Sequence, residues 1–368
     1  MDAFVYNGQA SRVVFGPGSL SHLEREVERI GAQRALVLST PGHAGQAAMV
    51  AERLGTRAAG IFAQAVMHVP IETARRARDE AHRLGADCAI AIGGGSTIGL
   101  GKAIAMESGL PILAIPTTYA GSEMTPIYGL TEDGLKRTGR DARVLPRTVI
   151  YDPELTLSLP VGLSIVSGMN AIAHAAEGLY AQDRNPVMSL MAEEGIRALA
   201  RALPILRRQP GDMEARSNAQ YGAWLCGSVL GNVGMALHHK LCHTLGGSFN
   251  LPHADVHTVV LPHAIAFNAM AAPDAMQRME RALGLEKGCT AAMGLYDLAH
   301  DNGAPTSLKD IGMLEADLDR AADIAVSMPY WNPRAFGPEQ RGDIRQLLQR
   351  AFEGARPLAS GQWPRGFP

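Results

Sequence analysis

The sequence predicts an α/β N-terminal domain built on a parallel sheet, residues 1–155, followed by an all-α C-terminal domain, residues 156–368. Three observations carry that expectation. Short apolar runs alternate with polar helical stretches in the first part. Strand signals then nearly vanish after Asp152-Pro153, and apolar residues recur at helical spacing through most of the remainder. A chain of 368 residues also suits two domains of ~100–200 residues each.

Taken in order, residues 4–6 and 12–15 flank a Tyr-Asn-Gly turn signal and read as a hairpin. Residues 19–30 have a helical pattern, and 34–39 read as a buried strand. A charged amphipathic helix over 73–84 leads to a second buried strand at 88–92. Residues 102–107 lie in the next helix, and 111–115 form a third strand. Parallel neighbours need a long crossover, normally a helix, so this alternation argues for a parallel sheet with covering helices. Beyond it, the segments 163–182, 186–207, 212–229 and 233–245 repeat apolar residues at helical spacing. The last ten residues, with two prolines and two glycines, are expected to trail along the surface.

Composition excludes several classes. Lys and Arg total 34 against 36 Asp and Glu, a formal net charge of −2, so no basic excess marks a nucleic-acid partner. A hydrophobic content of 46% argues against disorder. Cys88, Cys226, Cys242 and Cys289 are scattered and form no CxxC pair, as expected of reduced thiols. No secretory signal or membrane span is visible, and a cytoplasmic location is expected.

Two features stand out. The chain has 40 glycines, about 11% where about 7% is usual. Seven of the 12 histidines fall between His174 and His263. The glycine excess peaks at Gly93-Gly94-Gly95-Ser96, where a buried strand enters a helix. A backbone without Cβ atoms can approach a diphosphate closely, and the helix start presents N–H groups and positive potential to it. A second turn carries Thr117, Thr118 and Ser122 after the next strand, at what should be the same sheet edge. Ligands of open parallel sheets sit at the carboxyl ends of strands, so the two turns suggest a dinucleotide site. GGGS is neither GxGxxG nor a Walker motif, and three glycines can equally make a plain tight turn.

Among the histidines, Asn170 and His174 lie four residues apart, as do His239 and His243, so each pair shares one helical face. His253, His257 and His263 follow. Such pairs aim imidazoles at one point, often a metal. Imidazoles on apolar faces can also satisfy one another around a buried pocket without any metal.

These residues join a longer pattern: Phe15-Gly-Pro-Gly-Ser19, Gly93 to Ser96 with Lys102, Pro116-Thr-Thr118, Asp152-Pro-Glu-Leu-Thr156, Leu159-Pro160, Ser167-Gly-Met-Asn170 with His174 and Glu177, and His239 to His263. Nearly end to end, the chain resembles the iron-containing alcohol dehydrogenase family, which shares its fold with glycerol dehydrogenase and dehydroquinate synthase. The resemblance implies a nucleotide-binding N-terminal domain using NADH or NADPH, a helical C-terminal domain, an active site in the cleft between them, and a homodimer. Metal-binding members use Asp-x-x-x-His and then histidines at the positions of His239 and His253. This chain has Asn170 in place of the aspartate. An amide oxygen is a weak neutral ligand for a divalent ion, so no metal is expected. The alternative is a metal-dependent (iron or zinc) alcohol dehydrogenase using His174, His239 and His253.

Three further departures accompany Asn170. The turn after Thr117-Thr118 is one residue shorter than is common, and Gly99 stands where an aspartate is frequent. Ser39-Thr40 ends its strand where NAD-preferring relatives often carry an acidic residue, which leaves the coenzyme choice open and makes Thr40 a candidate contact. Asn170 to His174, residues 116–123 and residues 151–156 look like the branch that reduces the carbon–carbon double bond of a small dicarboxylate, maleylacetate, late in bacterial catabolism of catechol-, resorcinol- and hydroquinone-type aromatics, giving 3-oxoadipate. The resemblance makes His243 the proton donor or polariser, with His174, His239 and His253 lining the anion pocket. A carboxylate at position 170 would repel such a dianion by roughly 4 kcal/mol at 4 Å and an effective dielectric near 20. Lys102 and Lys240 are candidate cations, each with a structural role as the alternative.

Overall fold

A computed structural model of the chain describes residues 4, 6, 8, 11–67, 69–132 and 135–357. Contacts divide it into two compact units, one spanning Gly8–Leu159 and the other comprising the chain from Pro160 onward together with residues 4 and 6.

The first unit contains strands β1 (Arg12–Phe15), β2 (Ala35–Leu38), β3 (Ala58–Phe62), β4 (Cys88–Gly93), β5 (Ile112–Pro116), β6 (Ile127–Glu132), β7 (Leu135–Arg140) and β8 (Thr148–Tyr151). Six of them form one sheet in the order β1-β8-β5-β4-β2-β3, with every pair parallel. Helices α1 (Leu23–Ile30), α2 (Ala44–Leu54), α3 (Ile71–Arg83) and α4 (Gly95–Ser108) belong to the same unit. Every residue of β2, β4, β5 and β8 is buried, as a sheet covered on both faces requires. The side chains alternate between two cores. Ala35 and Val37 pack with Val27 and Val50, while Leu36 and Leu38 pack with Ala77, Leu100 and Ile104. β6 and β7 form a separate antiparallel hairpin.

The expected N-terminal hairpin is corrected. β1 pairs in parallel with β8, from Arg12↔Thr148 to Phe15↔Tyr151, while residues 4 and 6 of the expected partner are not in a strand and residue 5 lies outside the described residues. The turn signal is local, whereas the true partner lies about 135 residues away. β3, β6, β7 and β8 carried no separate expectation. β3 is an edge strand of mostly small, partly exposed residues and offers little apolar signal.

The second unit is helical: α5 (Val161–Gly178), α6 (Pro186–Arg208), α7 (Met213–Asn232), α8 (Leu237–Phe249), α9 (His253–Asn268), α10 (Pro273–Leu283), α11 (Ala291–Asp301), α12 (Leu318–Ser327) and α13 (Arg341–Glu353). Helix starts follow capping chemistry. Asn185 accepts from Met188 N at 3.0 Å with Pro186 at the first helical position, and Asp212 accepts from Ala215 N at 2.8 Å. The final ten residues, expected to trail, lie outside the described residues. Among the described residues, no helix is long and apolar enough to cross a membrane.

α5 is buried on all sides from Ser164 to Gly178, so neighbouring helices must approach it closely. Gly168 and Gly178 make that possible. A Cβ on Gly168 would stand 2.6 Å from Leu203 Cδ2, and one on Gly178 would collide with Val229 Cγ1. Gly178→Ala is therefore expected to destabilise the protein by about 1–3 kcal/mol through overpacking against a stiff β-branched side chain, read as a lower urea midpoint.

Candidate active site

Each unit carries a cluster of its own. In the first, register sets the geometry: Gly93 pairs with Pro116, so the turns after β4 and β5 leave the sheet side by side. Thr117 N donates to Gly93 O at 3.1 Å and ties them together. Gly93 has φ +148°, and a Cβ there would meet Thr97 Oγ1 at 2.6 Å. On Gly94, a Cβ would lie 2.9 Å from Thr118 Cγ2 and 3.0 Å from its Oγ1. Side chains are thus excluded at both positions, by backbone conformation at one and by the second turn at the other. Gly95 is exposed and Ser96 half-buried at the start of the 14-residue helix α4, whose first N–H groups have no partner within the helix. The hydroxyls of Thr97 and Thr117 are buried without a hydrogen-bond partner. A backbone cradle that Cβ atoms would fill, on a helix start and lined by unsatisfied hydroxyls, fits a dinucleotide diphosphate. Thr40, at the carboxyl end of β2, bonds through Oγ1 to His43 Nδ1 at 2.8 Å.

Lys102 belongs to the scaffold of this cluster. It is fully buried, and its Nζ lies 2.6 Å from Ser122 O, 2.8 Å from Thr125 O, 2.9 Å from Thr125 Oγ1 and 2.7 Å from Ile127 O. The ammonium fastens the second turn to the helix that follows the first. Burial draws its pKa down to about 7 and Glu123 opposes that shift. Carbonyl oxygens only accept, so the cage favours the donor-rich protonated form. Glu123 is itself buried, takes the Tyr151 hydroxyl at 2.8 Å, and has its pKa raised mainly by burial.

In the second unit, one face of α5 presents Asn170, His174 and Glu177 at i, i+4 and i+7. α8 supplies His238, His239, Lys240, Cys242 and His243, and α9 supplies His253 and His257. The rings interlock. Centroids of His174 and His239 are 5.0 Å apart, His239 and His257 5.0 Å, His253 and His257 4.4 Å, and His239 and His243 6.1 Å. His174 Nδ1 bonds His239 Nε2 at 2.9 Å, and His239 Nδ1 bonds Glu177 Oε2 at 2.7 Å. Asn170, His174 and His239 are buried, His253 half-buried, and His243 exposed.

Glu177 does more than hold one ring. α8 starts at Ala236 with no side-chain cap of its own. The Glu177 carboxylate accepts instead from Ala236 N at 2.8 Å, His238 N at 2.7 Å and His239 N at 3.3 Å. It caps the helix from another element, and its negative charge meets the positive end of the helix dipole. Nothing local in the sequence signals this.

His238 and His257 share a 3.0 Å bond between Nε2 and Nδ1. Burial first, and neighbouring imidazoles second, hold both pKa values well below the usual histidine range. They are neutral packing partners within the cluster. His263 lies farther along α9, where burial and Arg350 bring its pKa down to about 3. At the exposed side, His243 Nδ1 bonds Tyr330 Oη at 3.0 Å. The Lys240 Nζ lies 5.7 Å from the Tyr330 ring centroid. Burial lowers the Lys240 pKa and raises that of Tyr330, with Glu177 adding to the latter. Tyr330 is distant in sequence and was not anticipated.

The donor set does not fit iron. Asn170, His174, His239 and His253 are all neutral ligands, and the only contacting carboxylate identified among the described residues, Glu177, is taken by α8 and the far nitrogen of His239. His174 and His239 also direct nitrogens at each other rather than at a common third point. His238, Cys242 and His257 do bring ligand atoms within 4.8 Å of one another. Yet Cys242 Sγ stands 3.5 Å and 3.9 Å from the two nitrogens of His238, off the lone-pair axis of each, and burial holds its thiol pKa well above the ordinary value.

Residues 10–153 match the model of the iron-containing alcohol dehydrogenases, and residues 164–352 match the C-terminal model of the Fe-containing alcohol dehydrogenase family. A maleylacetate reductase of Burkholderia cepacia is 63% identical over 357 residues, covering 97% of this chain and 100% of that one. Among solved structures, a provisionally assigned alcohol dehydrogenase of Ralstonia eutropha JMP134 is 65% identical with TM-score 0.95, over 97% of this chain and 100% of that one. The maleylacetate reductase of Rhizobium sp. strain MTP-10005 is 55% identical with TM-score 0.92, at the same coverage.

Replacing Lys102 tests the scaffold described here. Lys102→Met leaves four oxygens without their donor and Glu123 without its opposite charge. It should cost about 3–5 kcal/mol in urea denaturation.

Proposed function

The chain belongs to the iron-containing alcohol dehydrogenase family, and we propose that within it this protein reduces the carbon–carbon double bond of maleylacetate to give 3-oxoadipate, using NADH or NADPH and no metal ion. The observation that carries the substrate is the 63% identity to a maleylacetate reductase over nearly the whole chain. Asn170, buried beside His174 where metal-binding relatives have aspartate, supports the metal-free part.

The chemistry agrees with the residues. Maleylacetate carries its double bond in conjugation with a ketone, between two carboxylates. Bound NAD(P)H supplies a hydride to the alkene carbon β to the ketone, which leaves negative charge on the ketone oxygen as an enolate. Residues 93–96, Thr117, Thr118 and Ser122 form the cradle assigned to the dinucleotide, with Thr40 at the neighbouring strand end. His243 is assigned the proton that the adjacent carbon must receive. Assigning the Tyr330 hydroxyl as donor to Nδ1 puts the ring's proton on Nε2, and as Nε2 gives that proton to carbon, Nδ1 takes one from the hydroxyl, which solvent at this exposed side restores. The alternative part for His243 is polariser, its N–H stabilising the developing oxyanion as an oxyanion hole does. His174, His239 and His253 line the substrate pocket. Asn170 adds no negative charge to a pocket that receives a dianion, and Lys240 places a cation on the Tyr330 ring. No alcohol is deprotonated, so no metal alkoxide is needed. The separate, unpaired thiols support a reducing cytoplasm, and the family resemblance supports a homodimer.

The decisive assay follows NADH and NADPH oxidation with freshly generated maleylacetate, with and without chelator, alongside metal analysis of the purified protein. Undiminished turnover in chelator is the expected result; stoichiometric iron or zinc with activity lost to chelator would sink the metal-free reading. Asn170→Asp should raise metal affinity and lower turnover. His243→Ala should lower kcat by roughly 10²–10⁴-fold with the coenzyme Kd unchanged, measured by fluorescence titration. Equal loss of both would assign His243 to positioning.

A further inference from the structure

The bonds around Glu177 fix more than the start of α8. Glu177 is fully buried, and three of its donors are backbone N–H groups, which cannot accept. A fourth, the Tyr180 hydroxyl, lies at the long distance of 3.5 Å. Both carboxylate oxygens therefore act as acceptors, and the proton shared with His239 at 2.7 Å sits on Nδ1. Taken as a neutral imidazole with that one N–H, His239 presents Nε2 as a lone pair. It accepts across the 2.9 Å bond from His174 Nδ1, which puts the proton of the second ring on that atom. With its proton on Nδ1, His174 carries a lone pair on Nε2. At the other end of the cluster, His243 Nδ1 meets the Tyr330 hydroxyl at 3.0 Å, and the donor role assigned above to that hydroxyl gives the opposite polarity.

We propose that Glu177 is a positioning residue that sets, through His239, the tautomers and ring planes of both His239 and His174, and so divides the cluster into an acceptor side at His174 and a donor side at His243. The role in turnover rests on the maleylacetate reduction proposed above; the tautomers do not. This assignment sharpens the part given to His174. It lines the pocket as an acceptor, and donation to the reacting molecule falls to His243. Groups that orient imidazoles from behind typically matter by 10–100-fold in activity, although they touch no substrate.

The test starts with the unaltered protein. Nitrogen-15 spectra of histidine-labelled enzyme, assigned with His174→Gln and His239→Gln variants, should show His174 and His239 both as Nδ1–H tautomers. An Nε2–H tautomer at His239 overturns the proposal whether or not any Glu177 variant folds. Glu177→Gln should invert the His239 tautomer and lower kcat roughly 10–100-fold while the coenzyme Kd stays unchanged, and Glu177→Asp should recover most of the loss. Full turnover in Glu177→Gln would also overturn it. Nδ1–H tautomers in a protein that does not reduce maleylacetate would instead overturn the proposed substrate and leave the relay in place.

Discussion

A helix that begins without its own cap has to find an acceptor for its first N–H groups elsewhere. In this protein, that need governs the helical unit. α8 is capped at Ala236, and the oxygens that meet its first N–H groups come mostly from Glu177 on α5, with Asn332 Oδ1 taking Leu237 N at 3.3 Å. A charge buried so deeply persists only when donors surround it. Those donors lock α5 to α8 at one rotation about their axes. Asn170 and His174 share the α5 face with Glu177, and His239 sits in the first turn of α8, so the same lock brings the imidazoles together. The packing glycines on α5 serve the same end, because the helix is enclosed on all sides and its neighbours come close only where side chains are missing.

Much of the architecture was legible because it rests on local pattern. Strands buried on both faces read as uninterrupted apolar runs, as at residues 88–92, and helices of the second unit show their apolar periodicity and caps directly. Pairing was less legible. The strand at residues 12–15 is correctly a strand, but its partner is chosen by the whole sheet and not by the adjacent turn signal. The histidines announced themselves through four-residue spacing, and the glycine turn through composition. Tyr330 did not, and Lys102 and Glu177, though part of the sequence pattern, gave no sign of the tasks they perform. A buried lysine or glutamate looks in sequence like any solvated one, and only the tertiary arrangement of donors and acceptors around it reveals its task. Tyr330 lies 87 residues beyond the histidine it bonds, in a segment with no motif.

The electrostatics of the cluster show a consistent direction. Burial keeps His238 and His257 neutral, and their mutual bond supports them without an ion. Glu177, the one carboxylate found in contact with the cluster among the described residues, is turned to a structural use, and Asn170 contributes an amide. The histidines of this unit are linked to one another and to Glu177 by hydrogen bonds. Such a framework suits a negatively charged, conjugated ketone better than an alcohol that must lose a proton.

Lys102 has a consequence for how this chain can vary. Three of the four oxygens around its ammonium belong to the backbone, at residues 122, 125 and 127, and only Thr125 contributes a side chain. Carbonyls are present whatever residue occupies a position. The second turn is thus anchored by atoms that mutation cannot remove, while the side chains it displays stay open to change. Lineages can therefore drift in what this turn offers to a ligand without losing where it stands.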